Sequence, residues 1–298
     1  MRVTDDQLSR WTKPAFGNEE ELAANTEAAV RRAVSQHPIL SQLNIRILPK
    51  GSIKNNTNVR RDSDIDVAVV LQSHIALEYT EGATMQDTGL MPYSGISLPD
   101  FKAAVGQAMA NEFGVANVDG SGNKVFRIRG SHRVMNADVI PSSRYWYVGK
   151  GWHHEGIALI LDNPDGRVHF NYPDQHHSNG VAKNNRTGRS YKRGVRILKN
   201  IENHLVANSL LQQEFPSFLV ESMAYNVPDT IYNSTATWRD QVKAMCEHMW
   251  GYVNTSAEPA DGLRWVEVNG HKFLFGPHQK WSKAEAANFV RTVYGVVV

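Results

Sequence analysis

Apolar positions recur at helical spacing in several parts of the chain. Over residues 19–36 small and apolar side chains return every three or four positions, acidic residues come first, and His37-Pro38 follows, so this stretch is predicted to be a long helix. Similar stripes predict further helices over 100–112, 191–206, 217–226, 238–250 and 284–294. The last third of the chain is therefore expected to be mainly helical.

Short alternating or continuous apolar runs dominate the first half instead. Residues 43–48 alternate and lead into Gly51-Ser52, which we expect to form a turn, and the run at 65–71 has the composition of a buried strand. Further strands are predicted at 115–118, at 125–129, at 134–140 (closed by Pro141), and within 146–163 and 167–172. Polar connections are expected at 72–98 and 180–188.

The order of these elements predicts an α+β fold. A mixed β-sheet with a long N-terminal helix would form residues 1–165, and a mainly helical lobe would form residues 166–298. A chain of 298 residues is long enough for two domains of this size.

Composition and charge narrow the class of protein. With 41% hydrophobic and 21% charged residues the chain is typical of soluble globular proteins, and a net charge of +2 without a continuous basic run argues against a long nucleic acid partner or an RNA-binding structural module. The single cysteine, Cys246, excludes an intramolecular disulfide and suits a reducing compartment. No apolar run resembles a signal peptide or a membrane span, so we expect a cytoplasmic protein without a membrane partner.

Two carboxylates mark the start of the buried strand at 65–71. Asp64 and Asp66 are two residues apart and therefore project from the same face. Burying both costs several kcal/mol unless cations compensate, and Mg²⁺ with a phosphate is the usual compensator. Gly51-Ser52 lies upstream, where a turn can direct N–H groups and a hydroxyl at phosphate oxygens.

The acids of the first half of the chain also allow other interpretations. A calcium loop of the EF-hand type is excluded, because Val67 stands where that loop needs Gly and Ser73 where it needs Glu. Asp138, alone in the apolar run 134–140, could form a salt bridge with Arg127 or Arg129; beside two upstream acids, a third metal ligand is the better hypothesis.

Taken together, these motifs resemble the nucleotidyltransferase signature of the polymerase-beta-like superfamily, in which a Gly-Ser pair precedes the R-x-S-D-I-D found here at 61–66. Within that superfamily the chain is most similar to the cGAS/DncV-like nucleotidyltransferases (CD-NTases) of bacterial anti-phage signalling, and among them to clade E. The likeness continues through Asp138 and through NYP at 171–173, NG-x-A-K-N at 179–184, LKN at 198–200 and SFLVE at 217–221.

This resemblance implies a reaction and a bilobed fold, with residues 1–165 as the catalytic core and residues 166–298 as the mainly helical nucleotide-binding lobe. Two Mg²⁺ ions, for which Mn²⁺ can substitute, would be bound by Asp64, Asp66 and Asp138 and would support nucleotidyl transfer. The enzyme would join two nucleoside triphosphates, with UTP and ATP the expected substrates, into a cyclic dinucleotide that contains UMP, with release of pyrophosphate. The product would activate a partner effector during phage infection.

The resemblance also assigns nucleotide-binding residues, each with a plainer alternative. Gly51 and Ser52 would contact phosphate. Lys199 would contact the donor triphosphate or be a solvated surface lysine, and Ser217 would bind phosphate or simply cap its helix. Phe218 would stack on a base or belong to the core.

Asn171 is the candidate for base recognition. Its carboxamide offers both a donor and an acceptor, as reading the edge of uracil requires, although asparagine before an aromatic residue and proline also suits a turn. The histidine pairs His153-His154 and His176-His177 lack a spaced third ligand, so surface or rim positions are expected for them rather than a metal site.

Two alternative functions remain open from the sequence. One is a template-independent enzyme that makes linear oligonucleotides or adds tails, which only its product distinguishes. The other is a non-catalytic nucleotide sensor, against which the intact Ser52, Asp64, Asp66 and Asp138 argue.

Overall fold

The computed structural model describes residues 2–14, 19–59, 64–162, 167–211, 214–255, 259–277 and 279–298. Its internal contacts divide the chain into two compact units. We call them the sheet unit (Gly17–Lys54 and Arg61–Pro173) and the helical unit (Met1–Phe16, Asn55–Arg60 and Asp174–Val298). No helix within the described ranges has both the length and the apolar character needed to cross a membrane.

In the part of the chain that is described, the strands of the sheet unit form one mixed sheet. They are β1 (Ile45–Lys50), β2 (Ile65–Tyr79), β3 (Val118–Asp119), β4 (Phe126–Ile128), β5 (Ala137–Gly149), β6 (Trp152–Leu159) and β7 (Phe170–Asn171). The helices of this unit are α2 (Glu19–Gln36), α3 (Gly51–Lys54) and α4 (Leu98–Phe113). The predicted α+β class and the long N-terminal helix are confirmed.

Strand β2 is central to the sheet. It pairs antiparallel with β1 on one side and parallel with β5 on the other. Side chains of its first half, such as Val67, Val69 and Leu71, are buried with apolar residues of α2 and α4. Ala68 and Val70 are buried on the opposite face. Burial on both faces explains the continuous apolar run in the sequence.

The sequence underestimated the length of two strands. Residues 72–79, predicted to begin a long connection, continue β2, because the strand beyond Leu71 is only partly buried and carries polar side chains. Pro141 does not end β5. On the side of β5 away from β2, residues 137–139 pair with β4 and residues 142–149 pair with β6. Pro141 lies between these two pairings. The N–H that proline lacks is therefore not needed for a bond to either strand.

The helical unit is built around one apolar core. Its helices are α1 (Asp5–Trp11), α5 (Pro173–Arg186), α6 (Ser190–Ala207), α7 (Ser217–Asn226), α8 (Asp229–Ser234), α9 (Trp238–Val253) and α10 (Lys283–Val297). Leu8, Leu198, Leu219, Met245 and Phe289 are among the side chains fully buried in this core.

Two features of the helical unit differ from the predictions. The loop predicted at 180–188 is wrong up to Arg186, since α5 continues through it with His176, Gly180 and Lys183 on its buried stripe. In addition, the described stretches 2–14 and 55–59 belong to the same unit as the C-terminal helices, although they precede the predicted boundary at residue 165. The functional division into a catalytic core and a nucleotide-binding lobe stays a prediction.

Candidate active site

The candidate site in the sheet unit begins with two acids on neighbouring strands. Asp66 on β2 and Asp138 on β5 are direct partners in the parallel pairing, so their side chains project from the same face of the sheet. Asp64 is exposed and lies immediately before β2. Residues 61–63 of the signature lie outside the described residues.

Gly51 lies directly against Asp66. A Cβ built on Gly51 would lie 2.1 Å from Oδ2 of Asp66, and the backbone φ of Gly51 is +77°. Glycine is therefore required both for the left-handed backbone and for space. The predicted turn is in fact the short helix α3, on which Ser52 is half-buried.

Two cations partly balance the acids. Lys50, the partner of Asp66 in the β1–β2 pairing, has its Nζ 3.5 Å from Oδ1 of Asp66. Arg127 lies opposite Asp138 in the β4–β5 pairing and forms an ion pair with Asp119 at 4.0 Å. Burial raises the pKa of Asp138, and the charges of Asp66 and Asp64 raise it further, while Arg127 and Lys50 lower it.

The chemistry of these donors fits a divalent cation. Within the described ranges no three acids or histidines already converge as a metal-binding group. Even so, Asp66 and Asp138 share a face, and the pKa of Asp138 is raised by burial first and then by repulsion from the charges of Asp66 and Asp64. A divalent cation relieves this repulsion, and carboxylate oxygen is the ligand that Mg²⁺ prefers.

Asn171 is exposed at the end of β7, where it pairs with Ile157 of β6. It is a strand residue, so the alternative of a turn residue is wrong. Beside it, the ring of Phe170 stacks on Tyr145 with centroids 4.2 Å apart, and Tyr172 meets Tyr145 edge-on at 6.0 Å. The Tyr145 hydroxyl donates to Oε2 of Glu78 at 3.0 Å, so the exposed amide adjoins a block of aromatic rings that pack on one another.

In the helical unit, Lys199 is buried, so the alternative that it is a solvated surface lysine is wrong. It is 2% exposed, and its Nζ donates to the carbonyl oxygen of Thr57 (3.2 Å), to Oγ1 of Thr57 (3.4 Å) and to Oε2 of Glu221 (3.3 Å). An ammonium group has three donors, and three acceptors surround this one.

Ser217 and Phe218 begin α7. Ser217 is exposed and is the first residue of the helix, whose N-cap is Pro216 without a side-chain cap, so the capping alternative for Ser217 is wrong. Phe218 is half-buried, with its ring centroid 5.5 Å from His176 and 6.2 Å from Trp281.

Sequence reasoning missed Glu221 as a partner in this region. It is 4% exposed and accepts from Lys199 and from the Thr57 hydroxyl (2.8 Å), while its Oε1 lies 3.0 Å from Nε2 of His176. Burial alone would raise the pKa of Glu221, but the charge of Lys199 and the bonds from His176 and Thr57 lower it to about 2. His176 is buried, so the surface or rim position predicted for it is wrong. The sequence signal that could have revealed Glu221 was an acidic residue inside the apolar run of α7.

Comparison with known proteins adds independent information. Residues 178–297 match the family model of the cGAS/DncV-like nucleotidyltransferase C-terminal helical domain. The chain is 32% identical to a cyclic dipyrimidine nucleotide synthase CdnE of Legionella pneumophila (98% of this chain, 97% of that protein) and 31% identical to one of Cecembia lonarensis (97% and 96%). The structure of Rhodothermus marinus CdnE c-UMP-AMP synthase with Apcpp and Upnpp superimposes with a TM-score of 0.82 at 28% identity, over 98% of this chain and 95% of that one.

Proposed function

The chain belongs to the cGAS/DncV-like nucleotidyltransferases, and from that premise we propose that it joins two nucleoside triphosphates into a cyclic dinucleotide. The observation that carries the proposal is the pairing of Asp66 with Asp138 on adjacent parallel strands, with Gly51 packed against Asp66. Each of the two bonds forms when a ribose hydroxyl oxygen attacks the α-phosphorus of a triphosphate and pyrophosphate leaves.

The sheet unit supplies the carboxylates for this reaction. Asp64, Asp66 and Asp138 would hold Mg²⁺, which lowers the pKa of the attacking hydroxyl and neutralises charge on the leaving pyrophosphate. Asp138, with its raised pKa, faces the same side as Asp66 and is the candidate to accept the hydroxyl proton. Gly51 leaves room for the Asp66 carboxylate, and Ser52 offers its hydroxyl and N–H to a phosphate oxygen.

The helical unit supplies the candidates for nucleotide binding. Ser217, exposed at the start of α7, can present its hydroxyl and the free N–H groups of the first turn to a phosphate. Phe218 offers part of an aromatic face for a base. Lys199 can act on a phosphate directly only by giving up one of its three internal acceptors.

We infer that at least one of the two bases is uracil. The exposed carboxamide of Asn171 can donate to and accept from the edge of uracil, and the dipyrimidine and UMP-AMP products in the names of the relatives support the same choice. UTP and ATP are the expected substrates, and the reaction would take place in the cytoplasm, where these nucleotides are made. The product would act on a partner effector in anti-phage signalling.

The test is to incubate the purified protein with all four nucleoside triphosphates and Mg²⁺, treat the mixture with phosphatase, and measure masses. A phosphatase-resistant species with the mass of two nucleoside monophosphates less two waters supports the proposal, and its mass identifies the bases. Asp66→Asn should abolish the product, whereas Glu81→Gln, at an exposed acid of the same unit, should not. A ladder of linear products would replace the proposal with the tailing alternative. Absence of both product and pyrophosphate release would favour a sensor.

A further inference from the structure

Within the sheet unit, Asn171 lies on the same face of the sheet as the catalytic acids. It is the direct partner of Ile157 on β6, and cross-strand partners share a face. Ile157 is buried in one cluster with Val70, which follows Asp66 by four residues on β2 and therefore points to the same side. The side chain of Asn171 thus projects from the face that carries Asp66 and its partner Asp138.

The aromatic block (Tyr145, Phe170 and Tyr172) packs on the opposite face of the sheet. Successive residues of a strand point to opposite sides, so Phe170, next to Asn171, directs its ring to the other face, where it stacks on Tyr145. The rings of Phe170 and Tyr172 meet edge-on with centroids 5.6 Å apart. Tyr145 itself is fully buried, and its hydroxyl binds Glu78 of β2. The block therefore anchors the residues on both sides of Asn171.

This anchoring matters because β7 has little support from its backbone. The strand consists of Phe170 and Asn171, and among the described strands it pairs with β6. Strands of globular proteins usually have about 3–10 residues, so the backbone pairing of β7 is weak on its own. The position of Asn171 therefore depends on the side chains that hold β7 against β6.

Gly156 allows β7 to lie this close to β6. It is the partner of Tyr145 in the β5–β6 pairing. A Cβ built on Gly156 would lie 2.5 Å from the carbonyl oxygen of Asn171 and 2.9 Å from Cδ1 of Tyr172, both well inside the 3.4 Å at which ordinary contact begins. Because the nearest atom belongs to the backbone, rotation of a side chain cannot relieve this contact. A larger residue at position 156 would therefore displace the backbone of Asn171.

We propose that Tyr145 and Gly156 are positioning residues for base selection: they fix the backbone of Asn171 so that its carboxamide meets the edge of uracil on the face of the catalytic acids. This inference rests on the proposed function, and it requires no contact of either residue with the nucleotide. Hydrogen bonds weaken steeply when they are misaligned, so a site that recognises one base through such bonds loses its preference when the recognising group moves.

Gly156→Ala tests the proposal through the KM for UTP, measured by pyrophosphate release with Mg²⁺. We expect this KM to rise about tenfold or more and kcat to change less than about threefold, because the contacts to uracil are lost while the acids stay in place. The matched control is Gly149→Ala in the same β5–β6 ladder. Its built Cβ would lie 2.2 Å from Cε2 of Trp152, with no atom of Asn171 among its nearest neighbours, so the KM for UTP should not change.

Tyr145 provides a second test, which decides the question if Gly156→Ala does not fold. Tyr145→Leu removes the ring on which Phe170 stacks and should raise the KM for UTP in the same way. Tyr145→Phe keeps that ring and should restore the KM of the wild type. An unchanged KM for UTP in folded Gly156→Ala or Tyr145→Leu, or an equal rise in Gly149→Ala, would overturn the proposal.

Failure of this inference can be distinguished from failure of the proposed function. If Asn171→Ala raises the KM for UTP and Gly156→Ala does not, recognition of the base by Asn171 stands and the positioning role is refuted. A wild type that makes no product refutes the proposed function, and calorimetric binding of UTP then decides the inference. Gly156→Ala should weaken that binding about tenfold or more, whereas equal affinity, or no binding by the wild type, would overturn it.

Discussion

Replacing Gly51 by alanine should remove activity without unfolding the protein. The new methyl group would lie 2.1 Å from Oδ2 of Asp66, more than an ångström inside the 3.4 Å of an ordinary contact. Because β2 is fixed by strands on both sides, the flexible carboxylate must move instead of the backbone. A displacement of about 1 Å at a catalytic group costs on the order of a hundredfold in rate.

Gly151 offers a matched control for the stability cost of placing alanine in a left-handed backbone conformation. It has the same φ of +77°, lies in the same unit at the β5–β6 turn, and has no atom within 4 Å of a built Cβ. Gly151→Ala and Gly51→Ala should therefore both lose about 1–2 kcal/mol of stability from the left-handed backbone. Only Gly51→Ala should also lose activity.

The assay is initial-rate pyrophosphate release with saturating nucleotides and Mg²⁺, beside urea unfolding of both variants at the same temperature. We expect a fall in kcat of about a hundredfold for Gly51→Ala and of less than about twofold for Gly151→Ala. Equal activity in the two variants at equal stability would refute the inference that Gly51 makes room for the Asp66 carboxylate.

Three further predictions concern pH, base choice and metal. The pKa of Glu221 is lowered from its usual 4.5 to about 2, so the ionised carboxylate stabilises the fold above pH 4.5. About 3 kcal/mol of the free energy of unfolding should be lost as the pH falls from about 5 to about 2. Urea titrations should show that loss in the wild type, and its persistence in Glu221→Gln would contradict the assignment. Asn171→Ala should lower the incorporation of UMP at least about tenfold when UTP competes with ATP, as measured by the mass of the product. Unchanged incorporation would show that Asn171 does not recognise the base. Chelation by EDTA should stop pyrophosphate release and added Mg²⁺ should restore it, and release that EDTA leaves intact would exclude the metal site at Asp64, Asp66 and Asp138.

The sequence predicted the elements whose burial follows a simple period. Helices α2 and α7 begin and end at the predicted residues, because most side chains of their buried stripes are apolar. Helix α5 was not predicted, because polar side chains occupy much of its buried stripe and a pattern of apolar residues cannot reveal them.

For the candidate site, the acids were recognisable and their surroundings were not. Asp64, Asp66 and Asp138 were named from their apolar context and the family motif, and the pairing of β2 with β5 brings Asp66 and Asp138 to one face. The contacts of Glu221 join residues separated by up to 164 positions in the chain, and no local pattern encodes such a separation. The same holds for the contact of Gly51 with Asp66, which depends on the path of the chain between them.

The aromatic block beside Asn171 has a consequence for how this enzyme can evolve. The rings of Tyr145, Phe170 and Tyr172 pack on one another, and the tyrosine hydroxyl is bound by Glu78. The amide of Asn171 is exposed and contributes little to that packing. Substitutions at this single position should therefore cost little folding energy, so that a base preference set by Asn171, as we propose, can change in evolution without loss of the fold.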